Sequence, residues 1–167
     1  MKNQVVRSIT FNALVAAIYF LLTFITSPFA FLGMQVRVAE ALVLLCFFRK
    51  DFTFGLTIGC LLANLLSPLG VVDVAFGTLA TLVSCLGICF MKQLAIATLI
   101  PVVVNGFVVG AELYFVLQEP FWINVGFVAL GEFIAVSILG YWLFFLLGKR
   151  PEFLKTIGAN QNLNFVF

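Results

Sequence analysis

The sequence predicts an all-α, polytopic membrane protein, a bundle of six transmembrane helices with an outward-facing pocket. The chain is 63% hydrophobic and only 10% charged, far outside the usual range of soluble globular domains. Because about 20 apolar residues span a bilayer core roughly 30 Å thick, the 167 residues allow five or six helices. Six is favoured because only that count sorts the basic residues onto one side of the membrane.

The six predicted helices are joined by short connections. They cover residues 1–26, 36–48, 52–66, 72–91, 93–117 and 121–148, and breakers such as SPF at 27–29 and SPLG at 67–70 separate them. The second and third runs are too short for the full core, so we expect the loops after them to dip inward. Irregular backbone at that depth is tolerated where it lines a wet cavity, which predicts a pocket that opens outward.

Basic residues set the predicted orientation. With six helices, eight of them fall on one side, which the positive-inside rule makes cytoplasmic: Lys2, Arg7, Arg49, Lys50, Lys92, Lys149, Arg150 and Lys155. We therefore expect a multi-pass protein of the cell membrane with both termini in the cytoplasm and loops 29–35, 67–71 and 118–120 outside. Residues 1–150 form the transmembrane domain, and 151–167 are predicted to be a poorly ordered cytoplasmic tail.

Charged and amide side chains inside the apolar runs are the candidate functional residues. Arg37 and Glu40 stand three apart, so they are predicted to share a helical face and to pair. A charge in hydrocarbon needs a partner, water or the bundle interior, which makes this pair either a functional site or a structural salt bridge. Counting about 1.5 Å per residue from the basic anchors places five further candidates in the outer half as well: Asn64, Asp73, Asn105, Glu112 and Glu132.

Two other patterns have alternative interpretations. Ala13 and Ala17, with Ala16 beside them, form a small-residue face that either docks a partner helix or packs inside the bundle. Aromatic residues near the expected mouth of the pocket either stack on a flat ligand or form an interfacial belt: Phe29, Phe31, Tyr114 and Trp122.

Little in the sequence suggests catalysis. The chain has no histidine, which is the usual general base and the commonest metal ligand. Its four cysteines lack a close paired spacing and are interpreted as apolar packing residues, so we expect neither a metal nor a cofactor. An intramembrane protease of the aspartate type would need two intramembrane aspartates. Asp51 is expected in a cytoplasmic loop, which leaves Asp73 alone. A stand-alone secondary carrier or channel for a small cationic solute remains the alternative, because the same charges could form an ion path.

Five motifs, taken in order, resemble those of the QueT family. They are QVRVAEAL at 35–42, GCLLAN at 59–64, DVAFGTLATL at 73–82, PVVVNG at 101–106 and GE at 131–132. The resemblance covers about residues 5 to 148. QueT proteins are substrate-binding S components of energy-coupling factor (ECF) transporters, assigned to the uptake of queuosine precursors of the 7-deazaguanine type.

The resemblance implies a non-enzymatic subunit that captures its small-molecule ligand outside, with no nucleic-acid partner. It would dock through Ala13, Ala16 and Ala17 on a transmembrane coupling subunit driven by two ATPase subunits, which agrees with the absence of a GxxxxGK phosphate loop. The implied ligand-binding residues are the seven polar candidates. Glu132 would accept the guanine edge, because a carboxylate can accept two adjacent N–H groups. Asp73 or Glu112 would bind an amine, and Asn64 and Asn105 the purine carbonyl or ring nitrogen.

Overall fold

The computed structural model describes residues 2–30 and 36–163, and of residues 2–4 and 29–30 only the backbone. Within these ranges the chain is helical and contains no strand. The elements are α1 (Lys2–Ile25), α2 (Ser27–Ala30), a 3₁₀ segment (Val38–Leu44), α3 (Leu45–Phe48), α4 (Phe52–Asn64), α5 (Val71–Ile88), α6 (Leu94–Leu117), α7 (Phe121–Glu132), a π-helical segment (Phe133–Gly140), α8 (Tyr141–Gly148) and α9 (Pro151–Ile157).

Four helical spans of the described chain are long and apolar enough to cross a membrane. They are Val5–Ile25, Val71–Ile88, Leu94–Leu117 and Phe121–Gly148, whereas Val38–Phe48 and Phe52–Asn64 are apolar but shorter. The helix limits, with α1 taken from Lys2, agree with the predicted ones to within three residues. The chain is therefore an all-helical membrane protein in which two short apolar helices lie between longer ones.

The first short helix differs from the sequence prediction in its geometry. Residues 38–44 form a 3₁₀ segment that continues into a single α-helical turn at Leu45–Phe48. Most of it is buried, and its neighbours are α1, α5 and the π-helical segment. Runs of 3₁₀ helix longer than a few residues are uncommon and often occur where function or strain requires them. This buried, tightly wound segment carries Glu40 into the middle of the molecule.

Helices α1 and α4 pack closely through small residues. A Cβ atom added to Gly59 would lie 2.9 Å from Cβ of Tyr19 and 3.0 Å from Cα of Ala16, so a larger residue on α4 would push α1 away. Ala16 is 6% exposed in this contact. Ala13 and Ala17, in contrast, face outward. The predicted alanine face is thus divided between the interior and the surface.

An apolar core fills the end of the bundle where the basic residues lie. It includes the aromatic side chains Phe47, Phe48, Phe52 and Phe144, all at most 2% exposed. The four cysteines are buried and free, which confirms their interpretation as packing residues.

The turn between α3 and α4 ties three segments together at this end. The Arg49 guanidinium binds the Asp51 carboxylate and also donates to the Ile157 carbonyl over 2.7 Å. Ser8 of α1 donates to the same carboxylate. Partial burial raises the pKa of Asp51, but the hydrogen bonds from Arg49 and Ser8 outweigh that effect and hold it below its usual value. The turn thereby joins α1 to the C-terminal helix.

The prediction of a poorly ordered tail is wrong for residues 151–163. After α9, the backbone N–H of Asn160 donates to the Phe48 carbonyl over 3.1 Å. The Gln161 side chain donates to the Cys46 carbonyl over 2.6 Å, and Asn162 donates to the Phe47 carbonyl over 2.8 Å. The last carbonyls of a helix lack intrahelical donors, so the short α3 accepts hydrogen bonds from the tail. These contacts hold the tail against the apolar core.

Candidate functional site

Arg37 lies directly before the 3₁₀ segment and is buried. Its Nη2 donates to both carboxylate oxygens of Asp73, over 2.9 and 3.2 Å, and its Nη1 donates to Oδ1 of Asn64 over 3.0 Å. The predicted pairing with Glu40 is corrected to a pairing with Asp73. Arg37 has an extended backbone, with φ −92° and ψ 93°, so the rule for residues three apart in a helix does not apply to it.

The partners of Arg37 come from two helix ends that meet. Asn64 is the last residue of α4, and Asp73 lies in the first turn of α5, where the positive end of the helix dipole favours a carboxylate. Nδ2 of Asn64 donates to the Asp73 backbone carbonyl over 3.0 Å. A Cβ atom on Gly77 would overlap Oδ1 of Asp73 and come within 2.8 Å of Nδ2 of Asn64. Both ends of the Asn64 amide are therefore engaged in holding the ion pair.

Glu40 is 1% exposed, and only one of its two carboxylate oxygens accepts hydrogen bonds from described residues. Its Oε1 accepts hydrogen bonds from the Tyr19 hydroxyl of α1 and from the Thr81 hydroxyl of α5, the latter over 3.1 Å. Its Oε2 is buried and has no hydrogen-bond partner among the described residues. Tyr19 and Thr81 thus fix the carboxylate in one orientation and leave one acceptor available.

Glu132 has a matching arrangement. It is the last residue of α7, immediately before the π-helical segment, and is 2% exposed. Its Oε1 accepts from Nδ2 of Asn105 over 2.8 Å, whereas its buried Oε2 has no partner within the described ranges. The charges of Glu40 and Arg37 act on Glu132, which places it in the same region. Short π-helical segments inside α-helices often occur at functional sites.

Glu112 lines a cavity in the outer surface of the helices. This cavity has a volume of about 290 Å³ and lies between α5 and α6, and none of the other six predicted polar residues lines it. Glu112 is 4% exposed, and neither of its carboxylate oxygens has a hydrogen-bond partner in the described part of the chain. Glu112 therefore shares none of the hydrogen bonds around Arg37, Glu40 and Glu132, although the charges of Asp73 and Arg37 act on it.

The balance of charge decides what this region can bind. Arg37 and Asp73 neutralise one another, while Glu40 and Glu132 make no ion pair with a described residue. A buried carboxylate is costly unless hydrogen bonds or an opposite charge compensate it. Two oriented carboxylates with free oxygens suit a ligand that supplies several N–H donors and a positive charge.

Comparison with known proteins identifies the family. The profile of the QueT transporter family matches residues 9–149. The chain belongs to the QueT transporter family. It is 35% identical over 168 aligned positions to the queuosine precursor transporter QueT of Lactococcus lactis subsp. cremoris strain MG1363, and the alignment covers 91% of this chain and 98% of that protein. No solved structure matches the chain. The family named from the five motifs is thus confirmed.

Three residues that support the site were not predicted from the sequence. Gly77 and Thr81 had a signal, because they follow Asp73 at intervals of four and so share its helical face. Tyr19 had none, because nothing local marks a tyrosine of an apolar helix as the partner of Glu40. The hydrogen bond from its hydroxyl to Glu40 becomes evident only when α1 and the 3₁₀ segment are seen packed together.

The two aromatic candidates whose side chains the structure describes, Tyr114 and Trp122, lie on the surface. Trp122 is 74% exposed and Tyr114 is 44% exposed, and both rings lie near Phe121, with centroids 4.9 and 6.1 Å away. This surface position agrees with an interfacial belt. Phe31 and the side chain of Phe29 lie outside the described part of the chain. Within that part, no group of acidic or cysteine side chains could hold a metal ion.

Gly77 provides a test of the ion-pair geometry. Gly77→Ala should lower the stability of the purified protein by about 1 to 3 kcal/mol, because the added methyl group overlaps Asp73. Gly126→Ala is the matched control, since a Cβ atom there meets nothing within 4 Å and alanine favours the helix. Melting temperatures in detergent should fall for the first variant and stay equal or rise for the second. Equal melting temperatures in both variants would contradict the close approach at Gly77.

Proposed function

We propose that the chain is the membrane-embedded substrate-binding subunit, the S component, of an ECF-type importer, and that it takes up a queuosine precursor of the 7-deazaguanine type. Membership of the QueT family supports this proposal, as does the name of the relative that is 35% identical. The structural observation that carries it is the pair of buried glutamates, Glu40 and Glu132, which each keep one oxygen without a partner among the described residues.

Glu132 is suited to the guanine edge of such a ligand. That edge presents a ring N–H and an amino group side by side, and a carboxylate can accept both. Asn105 holds Oε1 of Glu132 over 2.8 Å and so limits the rotation of the carboxylate. The amide also offers an oxygen that can accept from the ligand. In this arrangement Asn105 both positions Glu132 and lies beside the ligand.

Glu40 is the better partner for a ligand ammonium group. Asp73, which the sequence suggested for this role, is already neutralised by Arg37. Glu40 has no cationic partner among the described residues, and its free oxygen lies within the same charged region as Glu132. Arg37, Asn64 and Asp73 then serve as the support that fixes the start of the 3₁₀ segment. A deazaguanine precursor with an aminomethyl group then binds Glu132 through its guanine edge and Glu40 through its ammonium group.

The proposed topology has six membrane helices and a pocket that opens outward. Asn64 and Asp73 lie at one end of α4 and α5, whereas the Arg49–Asp51 turn lies at the other end of α4, about 20 Å away along the helix. Arg7 donates to the carbonyls of Lys155 and Thr156. The basic N-terminal and C-terminal segments therefore meet at the same end of the bundle as the Arg49–Asp51 turn. The positive-inside rule makes this end cytoplasmic, with both termini inside.

Docking on a coupling subunit is assigned to the exposed part of the alanine face. Ala13 and Ala17 face outward on α1, whereas Ala16 is used in the contact with Gly59. Small exposed residues allow a partner helix to approach closely. ATP would be hydrolysed in two separate ATPase subunits. Because Tyr19 lies on the same helix and binds Glu40, α1 connects this docking face directly with the ligand site.

Removing the charge of Glu132 tests the guanine-edge contact. Glu132→Gln should weaken a 7-deazaguanine ligand by at least about tenfold, because a buried acceptor is replaced by a group that is partly a donor. Glu119→Gln is the control, since Glu119 lies in the exposed loop before α7 and should leave affinity unchanged. Titration calorimetry on the purified proteins measures both. Equal affinities for the two variants and the parent would remove Glu132 from the site.

The Tyr19 hydroxyl provides a test of how Glu40 is positioned. Tyr19→Phe should weaken the ligand several-fold to tenfold, because Glu40 loses one of the two bonds that orient it. In a Glu40→Gln background the same change should have little further effect if the two residues act together. Tyr114→Phe, at a 44% exposed position, should have no effect. Additive losses in the double variant would mean that Tyr19 acts independently of Glu40.

Bulky residues on the docking face should separate transport from binding. With Ala13 and Ala17 both replaced by tryptophan, a partner helix is held away while the site around Glu40 and Glu132 is untouched. Uptake by cells should fail and calorimetric affinity should persist. If affinity fell together with uptake, these alanines would belong to the internal packing of the subunit.

A further inference from the structure

An apolar groove on the outside of the bundle has no role in the proposed function. It lies between α5 and α6 and has a volume of about 290 Å³; its apolar lining residues are Val72, Phe76, Val108, Ala111, Phe115 and Val116. Phe76 is 52% exposed and Phe115 is 72% exposed. The groove therefore opens on the surface that faces the membrane. Among the described residues that line it, Glu112 alone is charged.

Glu112 is left uncompensated in this groove. It is 4% exposed, and both of its oxygens are buried without a hydrogen-bond partner among the described residues. The nearby charges of Asp73 and Arg37 act on it, but these two residues are paired with one another. A buried carboxylate without a partner is costly. A cation with N–H donors is the chemistry that would satisfy it.

The position of the groove favours a ligand from the lipid bilayer. Glu112 precedes the end of α6 at Leu117 by five residues, which places it about 8 Å from that helix end. Val72 is the second residue of α5, so the groove lies where α5 begins and α6 ends. This depth is close to the boundary at which lipid head groups meet the apolar core. The exposed phenylalanines supply a surface for an acyl chain.

We propose that this groove binds a lipid whose head group carries a primary ammonium. The ammonium donates to the Glu112 carboxylate, and the acyl chain lies along Phe76 and Phe115. A quaternary ammonium fits less well, because it carries a charge but no N–H donor. A lipid is favoured over a water-soluble amine, because apart from Glu112 the walls are apolar and open on the membrane face. Glu112 is then a lipid contact and not a contact of the transported ligand.

Competition between two zwitterionic lipids tests this proposal. The purified protein is equilibrated in mixed micelles with equal amounts of phosphatidylethanolamine and phosphatidylcholine of the same acyl chains, and retained lipids are counted by native mass spectrometry. The protein should retain phosphatidylethanolamine about tenfold more than phosphatidylcholine, and Glu112→Gln should remove the preference. Glu119→Gln removes an exposed carboxylate at the same end of α6 and should keep it.

A second variant keeps the test decisive if the charge change affects folding. Ala111→Phe leaves the carboxylate in place and fills the groove, so it should reduce retention of both lipids. Calorimetry with a 7-deazaguanine ligand, run in parallel, should give unchanged affinity for Glu112→Gln. Equal retention of the two lipids by the parent, or a preference that survives Glu112→Gln, would overturn the lipid site. A loss of ligand affinity in Glu112→Gln would instead place Glu112 in the transport site, while leaving the role of Glu132 intact.

Discussion

A buried guanidinium in a membrane protein requires a partner, and the ion pair of Arg37 with Asp73 is the interaction on which the rest of the site depends. Asp73 lies in the first turn of α5, Asn64 ends α4, and Arg37 directly precedes the 3₁₀ segment, so this cluster joins three parts of the chain. Gly77 leaves the space that the carboxylate needs. Breaking such a pair by removing one partner typically costs about 3 to 5 kcal/mol, because the other charge stays buried. In the proposed site the pair is therefore a structural support and not a contact that a ligand can displace at low cost.

Because this pair is neutral, we assign ligand binding to the two glutamates that it leaves without an opposite charge. Glu40 and Glu132 are each held through one oxygen by neutral donors, and each keeps a second oxygen without a partner among the described residues. In the proposed complex, a ligand with N–H donors and a positive charge donates hydrogen bonds to both of these oxygens. Since Tyr19 connects Glu40 to α1, the proposed ligand site and the proposed docking helix are in direct contact. Such a link is what a subunit needs if a loaded and an empty form are to meet their coupling partner differently.

Sequence reasoning succeeded where the determining signals are local. The limits of α5 and α6 follow from apolar runs and the breakers beside them, and the buried polar residues stood out against those runs. It failed where the decisive contact is distant. Arg37 was assigned to Glu40 because they are close in sequence, yet its carboxylate partner is 36 residues away. The tail was predicted to be poorly ordered because its amide side chains suggest a solvated segment, yet Gln161 satisfies a carbonyl of α3 that lies 115 residues earlier.

We propose that two buried glutamates without an opposite charge select a cationic ligand with a guanine-type edge. Calorimetric titration of the unaltered protein with three ligands tests it most directly: 7-aminomethyl-7-deazaguanine, an uncharged 7-deazaguanine, and the adenine-type analogue of the aminomethyl compound. The aminomethyl compound should bind tightest, the uncharged compound about tenfold or more weaker for the lost charge-assisted contact with Glu40, and the adenine-type analogue weaker still for the mismatched edge at Glu132. Equal affinities for the charged and uncharged guanine-type ligands, or a preference for the adenine-type edge, would contradict the assignment of these two carboxylates.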